Sequence, residues 1–263
     1  MKSSTYFIMA VILILTGTLS GQERSVFFMD LDFNTLEQLG KSGATIIVPM
    51  AQIEAHGPHL PVGTDYYITR EISKRAAEGS SAVVAPPLLF GNCLDFASWP
   101  GYVVVDNKTF IDLVKNYCRS IDEQGFNTLI FLVQHGGNSV NGIRLAVEEY
   151  HRDHPGMIIH VTTTGMLLGK AAAQFRKPNF HLDTAMMLHI RPDLVYMEKI
   201  PDTLQVRLFP RTAYTFRQGQ GLADLAPEAL FTRPTASTRQ DGAKILEIAV
   251  RNLSELIDNN EDK

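Results

Sequence analysis

The chain is poor in the residues that mark specialised small proteins. It has two cysteines, Cys93 and Cys118, in 263 residues. Neither has a second cysteine nearby, so a thiolate metal site is not supported. One disulfide between them and two free, buried thiols are both open readings. Trp99 is the only tryptophan. There is no basic block and the formal net charge is −4, which argues against a nucleic-acid partner. No internal repeat, low-complexity linker or shift of composition divides the chain after its first residues.

What is present is ordinary globular material. Hydrophobic residues make up 45% and charged residues 20%, and the length suits one large domain with a sizeable core. The N-terminus differs. Lys2 precedes an uncharged segment to Gln22, densest at Tyr6–Leu15, and small residues follow at Gly17, Thr18, Ser20 and Gly21. One positive charge, a short apolar core and a small-residue exit are the layout of a secretory signal peptide. The expected organisation is a leader over 1–21 and a single domain over 22–263. The expected location is secreted or periplasmic, with no membrane attachment after cleavage. The apolar core is short for a retained anchor helix.

Apolar runs alternate with helical patterns. Ala44–Val48, Ala82–Ala85, Thr128–Val133 and Met157–Val161 read as buried strands. Helices are expected at Phe33–Leu39, Tyr66–Ala77, from Asp106 or Asn107 to Gly125, Val140–Tyr150, Thr164–Phe175, Asp183–His189 and Gly242–Ile257. Leu88–Tyr102 is a long loop with little periodicity, a pattern associated with function, and Val195–Phe216 is ambiguous. Continuous apolar strands between helices imply a mostly parallel sheet covered on both faces. Sites in such sheets form beyond the carboxyl ends of the strands.

Two of those ends carry chemistry. After the first strand come Glu54 and His56, two residues apart and so on one side of extended backbone. Asp65 follows a loop restricted by Gly57, Pro58, Pro61 and Gly63. Two carboxylates and an imidazole suit a divalent metal, although each residue alone is more often solvated or structural. The Thr128–Val133 strand runs into Gln134-His135-Gly136-Gly137-Asn138. The glycines let backbone approach a ligand, and Asn138 is a good helix cap. Equally, Gly-Gly-Asn can be only a tight strand-to-helix turn.

The pattern E-A-H-G-P-H-L-P-V-G-T-D at Glu54–Asp65, with H-G-G-N at His135–Asn138, resembles the creatininase family of metal-dependent amide hydrolases. The similarity continues through D-T-A-M-M-L-H-I-R-P-D-L-V at Asp183–Val195 to the C-terminal helix. The resemblance implies a three-layer αβα sandwich with a mostly parallel central sheet, usually a hexamer. It implies two divalent metals per subunit (zinc, manganese or iron). Glu54 and His135 would bind one and His56 the other, with Asp65 bridging. His59 would serve the loop structurally.

Departures bear on substrate. Relatives carry H-A-G-E-x-E-T where this chain has Pro178-Asn179-Phe180-His181-Leu182-Asp183-Thr184. His181 thus stands in the place of a metal-binding glutamate, as ligand or as bystander, and Asp183 in that of the second acid. A Glu-His pair of creatininase is Lys177-Pro178 here, and a histidine of many relatives is Phe96. Creatinine is therefore not the expected substrate. The expected activity is hydrolysis of a C–N amide bond in a small, cyclic or open-chain amide or a short peptide. Asp183 or His181 would move the proton, and the N–H groups of Gly136 and Gly137 would steady the oxyanion. A lactone or ester hydrolase at the same centre, and a small-molecule-binding relative with a decayed centre, are the alternatives.

Overall fold

The computed structural model describes residues 24–135, 138–206 and 222–261. The expected leader over 1–21 and the glycine pair Gly136–Gly137 lie outside the described residues. So does the part of Val195–Phe216 beyond residue 206.

Among the described residues, four parallel strands form the centre. They are β1 (Thr45–Met50), β2 (Val83–Val84), β3 (Thr128–Val133) and β4 (Ile158–Thr163). Their order across the sheet is β2-β1-β3-β4, with every pairing parallel. Every residue of β1 and β3 is buried, as their unbroken apolar runs require. β4 corrects the expectation of another buried strand. It lies at the end of the sheet, its residues other than Thr162 keep some exposure, and Ile158 is exposed.

Side chains alternate between two cores. Ile47, Ile130 and Leu132 face one layer, while Ile46, Val48, Leu129 and Phe131 face the other. The first layer is α2 (Thr64–Ala77), α5 (Thr164–Leu168), α6 (Leu182–Ile190) and α7 (Arg239–Glu261). The second is α3 (Asn107–Asp122) and α4 (Asn138–Asp153), with α1 (Phe33–Lys41) packed beside them. The result is the expected three-layer sandwich. Asp32 and Asp106 cap α1 and α3 by accepting backbone N–H groups. Thr164–Phe175 is not one helix: α5 stops at Gly169, whose φ of +49° turns the chain into a 3-10 segment.

Both cysteines are buried and free. Burial pushes the Cys118 thiol up to about 12. Among the described residues no helix is long and apolar enough to cross a membrane.

Helix α7 crosses α6 at Gly242, where a Cβ would run into the backbone of Ala185 and Met186. Glycine inside a helix costs about 1 kcal/mol relative to alanine, and here it permits that approach. The approach fixes α6, whose first turn carries Asp183. Gly242→Ala is expected to destabilise the fold by about 2 kcal/mol or more in urea unfolding, because backbone must move to admit the methyl. Gly156→Ala, with nothing within 4 Å of the added methyl, is the control and should change stability by roughly 0.5 kcal/mol or less.

Candidate metal centre

The parallel register of β1 and β3 sets Met50 beside Val133. The segments that leave these two strands therefore emerge side by side, and Glu54 and His135 meet. His135 Nδ1 lies 3.0 Å from Glu54 Oε1. The 54–62 loop is closed by Glu54 N–H donating to Val62 O at 3.1 Å. Gly57 turns the chain after His56 at φ +78°, and a Cβ there would meet Leu230 at 2.6 Å. Thr64 Oγ1 donates to Pro61 O at 2.7 Å and starts α2. Asp65 thus sits in the first turn of α2, where the helix N-terminus favours a carboxylate.

His56 is the hub. Its Nε2 is 3.3 Å from Asp65 Oδ1 and 3.8 Å from Glu54 Oε1, and its Nδ1 is 3.8 Å from Asp183 Oδ2. Donor atoms of Glu54, Asp65 and His135 lie within 4.8 Å of one another, and so do those of His56, Asp65 and Asp183. Asp65 belongs to both groups. Glu54 and Asp65 are 2% and 1% exposed.

Among the described residues, Glu54 Oε2, Asp65 Oδ2 and His56 Nε2 are buried without a hydrogen-bond partner. Buried carboxylate oxygens without donors are costly unless a cation satisfies them. Carboxylate and imidazole donors in two sets of three fit divalent ions of the zinc and manganese kind. The residues present therefore fit the metal pair that the resemblance implies.

Asp183 takes part where His181 does not. His181 is the N-cap of α6, in extended backbone, and its N–H donates to Ser237 Oγ while its C=O accepts from the same hydroxyl, both at 2.9 Å. Its side chain is 42% exposed, with Nδ1 3.8 Å from Asp183 Oδ2. It borders the cavity without joining either donor group. Gly136 and Gly137 lie outside the described residues.

Several participants were not singled out from sequence. Gln134 Nε2 donates to Asp183 Oδ1 at 2.7 Å, and Gln134 Oε1 accepts from Thr164 Oγ1 at 2.5 Å. One carboxylate oxygen of Asp183 is thereby held and the other turned to His56. Gln134 directly precedes His135 at a strand end, a signal that was there to read; Thr164 had none. Cys93 hydrogen-bonds the His135 ring, and Phe96 stands edge-on to it at 5.2 Å. His59, buried, shares a 2.9 Å hydrogen bond between Nε2 and Thr184 Oγ1, which braces the loop against α6. Ala229, Leu230 and Phe231 complete a cavity of about 210 Å³.

Electrostatics follow from this packing. Burial works to lower His135, but its hydrogen bonds to Cys93 and Glu54 and the charges of Glu54 and Asp65 raise it to about 10. Burial likewise opposes protonation of His56, and Asp65, Asp183 and Glu54 outweigh it, giving about 9. Burial raises Glu54, against the pull of His135. His59 goes the other way, to about 4, through burial and the neighbouring His181 and His56.

The family model described as creatinine amidohydrolase matches residues 29–257. The creatinine amidohydrolase of Pseudomonas putida is 26% identical over 255 residues, covering 89% of this chain and 96% of that protein. The mycofactocin precursor peptide peptidase of Mycobacterium ulcerans is 27% identical over 225 residues, covering 82% and 85%. In fold, the chain superposes on a solved mutant creatininase with a TM-score of 0.81 at 20% identity, over 91% of this chain and 100% of the other. Solved creatininases described as a manganese form and as a Zn–Zn type each give 0.77 at 23% identity, over 90% of this chain and 98% of theirs.

With both imidazoles raised, a dication entering at pH 7 must displace their protons. Zinc binding is expected to release roughly two protons per chain and to tighten as pH rises toward the values of His56 and His135. Calorimetry in buffers of different ionisation enthalpy reads the release directly. A binding heat independent of buffer would contradict the assignment.

Proposed function

The chain belongs to the creatininase family of metal-dependent hydrolases that act on C–N bonds, and from that premise we propose that it opens the amide bond of a small, cyclic or open-chain amide or a short peptide outside the cytoplasm. The observation that carries the reading is the sharing of Asp65 between two donor groups. In this reading Glu54, Asp65 and His135 would hold one divalent ion, and His56, Asp65 and Asp183 the other, zinc and manganese being the favoured metals. Such ions, when bound, would supply an acidified water and a polarised carbonyl.

The remaining roles belong to the chain. Three carboxylates, Glu54, Asp65 and Asp183, would offset most of the charge of the two ions in a buried setting. Gln134 holds Asp183 Oδ1 and leaves Oδ2 free to act. His181, exposed to the cavity and within 3.8 Å of Asp183, passes a proton to the leaving nitrogen. The N–H groups of Gly136 and Gly137 complete the oxyanion site on the sequence argument alone. Asp183 in the second group weighs against a decayed centre. A lactone hydrolase would need the same groups, and a substrate panel separates the two.

Secretion rests on Lys2, the apolar Tyr6–Leu15 and the small residues behind them; N-terminal sequencing of protein recovered outside the cytoplasm, starting near Gly21, tests it. A homo-oligomer, a hexamer by resemblance, completes the proposal.

The metal assignment makes a graded prediction. Elemental analysis should give roughly two zinc ions per chain for the native protein and about one for Asp183→Asn. Asp65→Asn should retain neither ion. Hydrolysis should fall to background in Asp65→Asn and in His135→Ala. Full metal content and activity in His135→Ala would remove the site from consideration.

A further inference from the structure

The cavity is lined by two unlike sets of side chains, the acidic and imidazole cluster and the apolar Phe96, Leu230 and Phe231. These wall residues come from two separate stretches that are locked together. Trp99 Nε1 donates to Ala226 O at 3.2 Å within the core, and Ala223 N–H donates to Ser98 Oγ at 3.0 Å. Phe96 packs on Trp99 with ring centres 5.4 Å apart. Leu230 is buried against Gly57, the residue after His56. Just before Leu230, Ala229 is held at φ +50°, a left-handed conformation that residues with a Cβ rarely adopt. Such strain persists only where the surroundings over-determine it, and it clusters at ligand-contacting turns. The wall is thus a built surface, and Phe231 on it remains 52% exposed.

None of the described residues lining the cavity is lysine or arginine. A free carboxylate on the acyl group would lie against Phe96, Leu230 and Phe231, with no lysine or arginine among the described lining residues to pair with it. An uncharged apolar group would instead leave water for an apolar wall. The two ends of the cavity also differ. Phe96 stands against His135, at the first donor group, while His181 stands beside Asp183, at the second. With His181 serving the leaving nitrogen, the acyl portion of the substrate extends toward Phe96.

We infer that Phe96, Leu230 and Phe231 form an acyl subsite for an uncharged aromatic or branched aliphatic group, so the substrates are amides of apolar acids without a free carboxylate on the acyl side. The inference rests on the metal-centre reading above and specifies its substrate class. A cavity of about 210 Å³ limits the group to about the size of a single ring.

The test compares three hydroxamates, which bind metal centres through one common group and differ in the acyl substituent. Binding of acetohydroxamate, benzohydroxamate and 4-carboxybenzohydroxamate to zinc-loaded full-length protein is measured by calorimetry. Benzohydroxamate should bind about tenfold or more tightly than acetohydroxamate, and 4-carboxybenzohydroxamate about tenfold or more weakly than benzohydroxamate. Phe231→Ala should lose about fivefold or more of the benzohydroxamate preference, with zinc content unchanged and acetohydroxamate affinity within about twofold. Equal affinities across the three probes, tighter binding of the carboxylated one, or a preference that survives Phe231→Ala would each overturn the subsite while leaving the metal centre standing. A native protein that takes up no zinc would bring down the metal-centre reading and this inference with it.

Discussion

Everything about the site depends on negative charge confined where water hardly reaches. Glu54 and Asp65 are almost fully buried, and Asp183 closes on them from a third direction. Carboxylates this close repel one another, and the low dielectric of the interior magnifies that repulsion. Only positive charge between them makes the arrangement tolerable. The imidazoles of His56 and His135 lie among them, and this negative charge raises both above the ordinary histidine value. The same donors are suited to divalent ions, and Asp65, common to both groups, couples the two positions.

The fold is arranged to bring these groups together and keep them there. Parallel pairing of β1 with β3 places the Glu54 and His135 segments on one rim. Helix α2 begins on that rim with Asp65, at the end of its dipole that stabilises an anion. Helix α6 reaches the rim from the first layer. It is held by the glycine crossing with α7, by the bond between His59 and Thr184 and by the clamp of Gln134 on Asp183. Such outer contacts decide which atom of each side chain would face a bound ion.

The sequence disclosed the parts governed by local pattern. Unbroken apolar runs marked β1 and β3, helical patterns marked α1 and α3, and the two motif segments marked Glu54, His56, Asp65 and His135. It was less informative where position depends on distant packing. Whether His181 or Asp183 enters the cluster turns on where α6 begins. His181 is the extended N-cap and Asp183 lies in the first helical turn; both border the cavity, and only Asp183 enters a donor group. Gln134 and Thr164 join Asp183 across three elements, a meeting no spacing rule foretells. The apolar wall at Ala229–Phe231 carries no motif and exists through Trp99 and Gly57. The partial exposure of β4 likewise reflects its place at the end of the sheet order rather than its own residues.

The most direct test of the account is anomalous diffraction at the zinc absorption edge from crystals grown with zinc. The account predicts two peaks, one among Glu54, Asp65 and His135 and the other among His56, Asp65 and Asp183. A map with no peak touching Asp65, or with zinc bound through His181 away from the other residues, would contradict it.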